Sequence, residues 1–156
     1  MSDARPLLLY VVDDDVTWLR ALARVLEHAG AEVRAFEDGV GLLERLEDEL
    51  PDLVVIDFDL GPGGTGSKLA RELRQALVTS CPPLVLLTAQ LDHVVDRELV
   101  AFDLALSKAT PPKALVEKLL GRAGERQGAR SAPRLRGEPT GELGARDDAE
   151  KDAASG

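Results

Sequence analysis

Four compact apolar runs punctuate the chain, at residues 7–12, 53–56, 84–87 and 104–106. Each is shorter than a helix needs and apolar at every position, the pattern of strands buried on both faces. A fifth short strand fits residues 33–36. The segments between them follow helical spacing instead. Trp18, Leu22, Val25 and Leu26 lie on one face, with Thr17 able to cap the start and Ala29-Gly30 closing the end. Leu42, Leu43 and Leu46 line a second helix, which Pro51 terminates. Leu69, Leu73 and Leu77 line a third, capped by Ser67 and stopped at Cys81-Pro82-Pro83. A fourth helix over residues 91–102 has the weakest pattern. Pro112 suits a first helical turn, followed by Leu115, Val116, Leu119 and Leu120. Five alternating strand and helix units imply an α/β fold, with a five-stranded parallel sheet flanked by helices.

In such a sheet the carboxyl ends of the strands share one edge, where ligands bind at the point of strand-order reversal. Asp13, Asp14 and Asp15 follow the first run, and Asp57 follows the second, ahead of a glycine-rich loop from Gly61 to Gly66. Thr88 ends the run before Ala89, and Lys108 follows Ser107 at the end of the last strand. Asp13, Asp14 and Asp57 would repel one another at close range unless a cation sits among them. Mg²⁺ is a hard ion that takes one or two carboxylates together with a phosphate oxygen. Lys108 adds a compact positive charge, and Thr88 a hydroxyl able to donate to a phosphoryl oxygen. A carboxylate in this setting can act as a nucleophile and form an acyl phosphate.

Composition bounds the rest. The 156 residues favour one domain, and the net charge is −9. Residues 1–120 hold 12 Lys and Arg against 21 Asp and Glu, so this body carries the whole imbalance, while residues 121–156 are neutral with 7 of each. An acidic body repels phosphate backbones, which argues against nucleic-acid binding. Residues 121–156 contain only Leu135 and Leu143 as large apolar residues, too few to offset the entropy of ordering. The expected organisation is a folded domain over 1–120, a disordered polar tail over 121–156, and no DNA-binding or other effector domain. Cys81 is the lone cysteine, which fits a reducing compartment. The first apolar run is too short to span a membrane. A cytoplasmic protein without membrane association is expected.

The segments Val11-Val12-Asp13-Asp14, Val55-Ile56-Asp57, Leu87-Thr88-Ala89 and Leu106-Ser107-Lys108 together resemble the four signatures of the response-regulator receiver domain of two-component signalling. The resemblance covers about residues 6–120. It implies a flavodoxin-like (βα)5 fold and a Mg²⁺ cofactor. Asp57 matches the phosphoacceptor, which takes a phosphoryl group from a sensor histidine kinase or phosphotransfer protein. Asp14 matches the direct metal ligand, Asp13 one that acts through water, and the backbone carbonyl of Asp59 the third protein ligand. Thr88 matches the switch hydroxyl and Lys108 the salt-bridging lysine. Asp59 and Gln90 flank the phosphoryl position and should influence its lifetime. Such a single-domain regulator would relay phosphate or switch a downstream protein partner. It would assist its own phosphorylation and dephosphorylation without being a multiple-turnover enzyme.

The departures from that family lie away from the acid cluster. Ala109 follows the lysine where the family has proline, so a trans bond or a shifted loop is expected. Ala105 stands where an aromatic residue often moves on activation. The stretch from Thr88 to Lys108 is about two residues short, and the loop after Asp57 about one residue long. These differences motivate an alternative, a receiver-like interaction module that does not depend on phosphorylation. Asp57 and Asp59 also resemble the Asp-x-Asp motif of haloacid-dehalogenase-type phosphatases, but no late acidic pair accompanies them within residues 1–120. Asp15 reads as a cap, His28 and His93 as surface residues, and Trp18 as helix packing.

Overall fold

This computed structural model describes residues 5–131. Strand β1 (Leu8–Val12) leads into helix α1 (Val16–His28), then β2 (Glu32–Phe36), α2 (Gly39–Arg45), β3 (Leu53–Ile56), α3 (Gly66–Leu77), β4 (Leu84–Thr88), α4 (Asp96–Leu99), β5 (Leu104–Ser107) and α5 (Pro112–Ser131). All strand pairs are parallel, and the sheet order is β2-β1-β3-β4-β5. The predicted α/β architecture is present, with β1, β3 and β4 buried along their whole lengths.

Alternate residues of each strand face opposite layers, as the period of a strand requires. Leu9, Val11, Leu53, Val55, Val85 and Leu87 pack with Leu19, Leu22 and Leu26 of α1 and Leu115 and Leu119 of α5. Leu8, Tyr10, Val12, Val54 and Ile56 face the other way, against Leu42 of α2 and Leu69, Ala70 and Leu73 of α3. The strands between these layers fix where every loop at the carboxyl edge emerges.

Local details differ from the sequence reading in four places. Thr17 does not cap α1; Asp15, which also read as a cap, does so, its Oδ1 accepting from the Trp18 N–H. Thr65, not Ser67, caps α3; Ser67 is buried and donates instead to the Glu98 carbonyl at 3.4 Å. The fourth helix shrinks to a 3-10 turn at Leu91–His93 and the four-residue α4, because Val94, Ala101 and Phe102 reach the core without regular helical spacing.

The last difference moves the domain boundary. Helix α5 continues past Leu120 to Ser131, so the polar tail expected from Gly121 does not begin there. Ala123 is completely buried against the α1 layer, and the Arg126 guanidinium donates to the carbonyls of Ser80 and Cys81. A small alanine and an arginine fork hold this stretch, and neither registers in a count of large apolar residues. The rest of that expected tail lies outside the described residues.

Candidate functional site

β1 and β3 lie side by side, and the chain leaves them in opposite directions across the sheet, to β2 and to β4. The crevice at their carboxyl ends is therefore the point of strand-order reversal. Register sets Val12 against Ile56, and the Asp57 N–H donates to the Val12 carbonyl at 3.1 Å. Asp13 and Asp57 thus emerge together. Ligand oxygens of Asp13, Asp14 and Asp57 all lie within 4.8 Å of one another. On the other flank, Thr88 pairs with Ser107, and the Lys108 N–H donates to the Thr88 carbonyl at 3.0 Å. One sheet edge thereby gathers five residues spread from position 13 to position 108.

Asp13 is buried and fully engaged. Its Oδ1 accepts from the Asp15 N–H at 2.9 Å, and its Oδ2 from the Lys108 ammonium at 2.5 Å. Asp14 is exposed. Asp57 is half-buried, its Oδ1 3.7 Å from the Lys108 Nζ. Burial pushes the Asp57 carboxyl up to about 6, and the neighbouring Asp13 charge adds to the rise, against the opposing pull of Lys108. One lysine does not balance three carboxylates. A hard cation with oxygen preference fits the donor set for that reason.

Two glycines keep the crevice open. A Cβ on Gly61, whose φ is +63°, would stand 2.9 Å from Asp14 Oδ2. A Cβ on Gly66 would stand 2.1 Å from the Asp57 backbone oxygen. Gly61 thus clears the Asp14 carboxylate, and Gly66 lets the start of α3 approach the Asp57 backbone. Asp59 is exposed and its side chain turns into its own loop, accepting from the Gly61 N–H at 2.9 Å; it is not among the three clustered carboxylates. Thr88 is buried, and its hydroxyl accepts from the Gln90 N–H at 3.2 Å.

The sequence reading missed one neighbour. The Lys108 Nζ lies 4.6 Å from the centre of the Trp18 ring. Helical spacing marked Trp18 as packing, and it does pack on the core; its position four residues after Asp14, within the first turn of α1, was the signal for more. No metal cluster beyond the acidic triad occurs among the described residues. His28 and His93 are both exposed.

With this geometry in place, comparison with known proteins is decisive. The family model of the response regulator receiver domain matches residues 9–120. The chain belongs to that family. Curated relatives of this receiver include the phosphate regulon transcriptional regulatory protein PhoB of Pseudomonas aeruginosa, 32% identical over 113 residues, which make up 71% of this chain and 49% of PhoB. The alkaline phosphatase synthesis transcriptional regulatory protein PhoP of Bacillus subtilis is 33% identical over 120 residues, or 74% of this chain and 49% of PhoP. The chain spans about half the length of the curated relatives it matches. Among solved structures, the response regulator TrrA of Thermotoga maritima, in complex with Mg²⁺ and BeF, is 28% identical with a TM-score of 0.66 over 74% of this chain and 98% of TrrA. A CheY-like receiver domain protein of Methanospirillum hungatei gives a TM-score of 0.69 at 21% identity, over 80% of this chain and 99% of that one, and shares the fold. Receiver domains are signalling domains, not multiple-turnover catalysts. No helix among the described residues is long and apolar enough to cross a membrane.

Proposed function

We propose that this receiver accepts a phosphoryl group on Asp57 in a Mg²⁺-dependent reaction, from the phosphohistidine of a sensor histidine kinase or phosphotransfer protein. The observation that carries the reading is the convergence of Asp13, Asp14 and Asp57 beside Lys108 in one crevice. A Mg²⁺ ion, held by Asp14 and Asp57, by the Asp59 carbonyl, and by Asp13 through water, would screen the carboxylates from one another and from incoming phosphoryl oxygens. TrrA, crystallised with Mg²⁺ and BeF, supports the assignment by likeness.

The Asp57 carboxylate attacks phosphorus as the bond from phosphorus to the imidazole nitrogen breaks, and the imidazole leaves. Ionised Asp57 is the reactive form. Its carboxyl sits at about 6 because of burial and Asp13, so the nucleophile is available at neutral pH. Lys108 already lies within 3.7 Å of the acceptor oxygen and is placed to meet the added negative charge. The Thr88 hydroxyl donates to the same group. The phosphoryl group adds about −1.5 to −2 charge, and the response reaches a downstream protein partner by way of Thr88 and Lys108. A cytoplasmic location suits such a relay.

Acetyl phosphate with Mg²⁺, followed by intact-mass measurement, tests this. A labile gain of one phosphoryl group that disappears in Asp57→Asn supports the reading, and no gain in the wild-type chain rejects it. The reduced α4 and Ala105 favour a second reading, a module whose partner binding ignores phosphate. Full partner binding and signalling by Asp57→Asn in cells would put that reading first.

A further inference from the structure

Lys108 joins the acid cluster to an aromatic face. Its Nζ donates to Asp13 Oδ2 at 2.5 Å, stands 3.7 Å from Asp57 Oδ1, and lies 4.6 Å from the centre of the Trp18 ring. The lysine side chain is 11% exposed, so bulk water solvates its ammonium poorly and these three neighbours dominate its environment. Two of them are linked through Asp15. Asp15 donates its N–H to Asp13 Oδ1 and accepts the Trp18 N–H on its own carboxylate. The start of α1 therefore sets the Trp18 backbone and the Asp13 carboxylate relative to each other, and Lys108 crosses to both from the end of β5.

Tight packing does not account for the ring's place. Trp18 is half-buried and lines a cavity of about 310 Å³ with Ala21, Val25, Pro111 and Leu115. A leucine would satisfy the apolar side of this site. Only an aromatic face offers the ammonium a favourable electrostatic surface. That surface is broad, whereas a carboxylate fixes a lysine at one point. It can hold the ammonium in either of the two positions that the crevice provides, on Asp13 or toward Asp57.

We propose that Trp18 is a positioning residue for phosphoryl acceptance: its ring keeps the Lys108 ammonium in the crevice while it passes from Asp13 to the phosphoryl oxygens on Asp57. The inference rests on the phosphoacceptor reading above. It makes the first turn of α1 part of the phosphoryl machinery. Trp18 is also the only tryptophan of the chain, so its fluorescence reports where the ammonium stands.

The full-length chain allows a direct test with Trp18→Leu and Trp18→Phe, each alone and combined with Lys108→Met. In the metal-free wild type, the ε-methylene protons of Lys108 should show an upfield ring-current shift by NMR; Trp18→Leu should abolish it and Trp18→Phe should keep part of it. With acetyl phosphate and saturating Mg²⁺, Trp18→Leu should form the Asp57 adduct about five- to tenfold more slowly, as loss of a partly buried cation–π contact predicts. Trp18→Phe should recover most of the rate, and Trp18→Leu should cost nothing further once Lys108→Met is present. Equal rates in wild type and Trp18→Leu, or a loss undiminished in the Lys108→Met background, would overturn the inference while leaving Asp57 as acceptor. An unshifted Lys108 resonance in the wild type would also overturn it. A wild-type chain that takes no phosphoryl group would overturn the phosphoacceptor reading and this inference with it.

Discussion

The β3–α3 and β4–α4 crossovers make the same connection in the same sheet by different means. After β3, a 3-10 turn at Gly61–Gly63 leads to a Thr65-capped helix of 12 residues that buries Gly66, Ser67, Leu69, Ala70 and Leu73. After β4, a 3-10 turn at Leu91–His93 leads to a helix of four residues with no side-chain cap and no buried residue. Val95 and Val100 remain exposed beside it. The first crossover is built to hold Asp57 in one place. The second is held by few apolar contacts, as befits a segment that opens or shifts at low cost. Contacts are therefore dense beside the acid cluster and sparse around α4.

The largest effect should come from the rigid side. Gly66→Ala puts a Cβ against the Asp57 backbone oxygen, and relief requires α3 to shift from Asp57. A loss of about 3 kcal/mol in denaturant unfolding is expected, together with loss of Mg²⁺ binding. Val100→Ala, on the loose side and 79% exposed, should change stability by less than about 0.5 kcal/mol.

Next in size is the charge strain at Asp57. Its carboxyl is raised from 3.8 to about 6 by burial and by Asp13. Between those values the folded chain holds a proton that the unfolded chain has released, so stability falls as pH rises through that window. Above it, ionised Asp57 costs about 1–3 kcal/mol in the metal-free protein. Asp57→Asn should accordingly raise the Tm of the metal-free chain at pH 8 and have little effect at pH 4, by calorimetry. Mg²⁺ should stabilise the wild type at pH 8 more than the variant.

A smaller effect should confine itself to the loose side. Arg74 reaches from α3 to donate to the Ala101 carbonyl at 2.9 Å and to Asp103 at 3.1 Å. Arg74→Ala should cost about 1 kcal/mol and speed hydrogen exchange in residues 91–103, with residues 57–66 unchanged. A small gain is expected where α3 ends. Val78 holds a φ of +47° and is 70% exposed, so Val78→Gly relieves strain without losing burial. A gain of about 1 kcal/mol or less is expected by denaturant unfolding.

The same contrast governs what the sequence made legible. β1, β3 and β4 announced themselves because they are buried on both faces, and their ends carried Asp13, Asp14, Asp57 and Thr88 into place. Position along a buried strand determines position at the edge, so the acid cluster followed from the strand pattern. The β4–α4 segment was illegible for the opposite reason: Val94, Ala101 and Phe102 contact the core singly, and no period links them. Helix caps shifted because Asp15 and Thr65 compete with equally suitable neighbours, Thr17 and Ser67. The extension of α5 escaped notice because Ala123 and Arg126 anchor it by close fit and hydrogen bonds. Gly61 and Gly66 read only as part of a glycine-rich loop, yet their lack of a Cβ is a local steric requirement.

A crystal structure of the chain with Mg²⁺ and beryllofluoride would put the central claim to the most direct trial. One ion on the oxygens of Asp14 and Asp57 is predicted, with beryllofluoride on the Asp57 carboxylate and the Lys108 ammonium moved from Asp13 onto a fluoride. An Asp57 carboxylate left bare, with Lys108 still on Asp13 and the ion bound elsewhere, would contradict it.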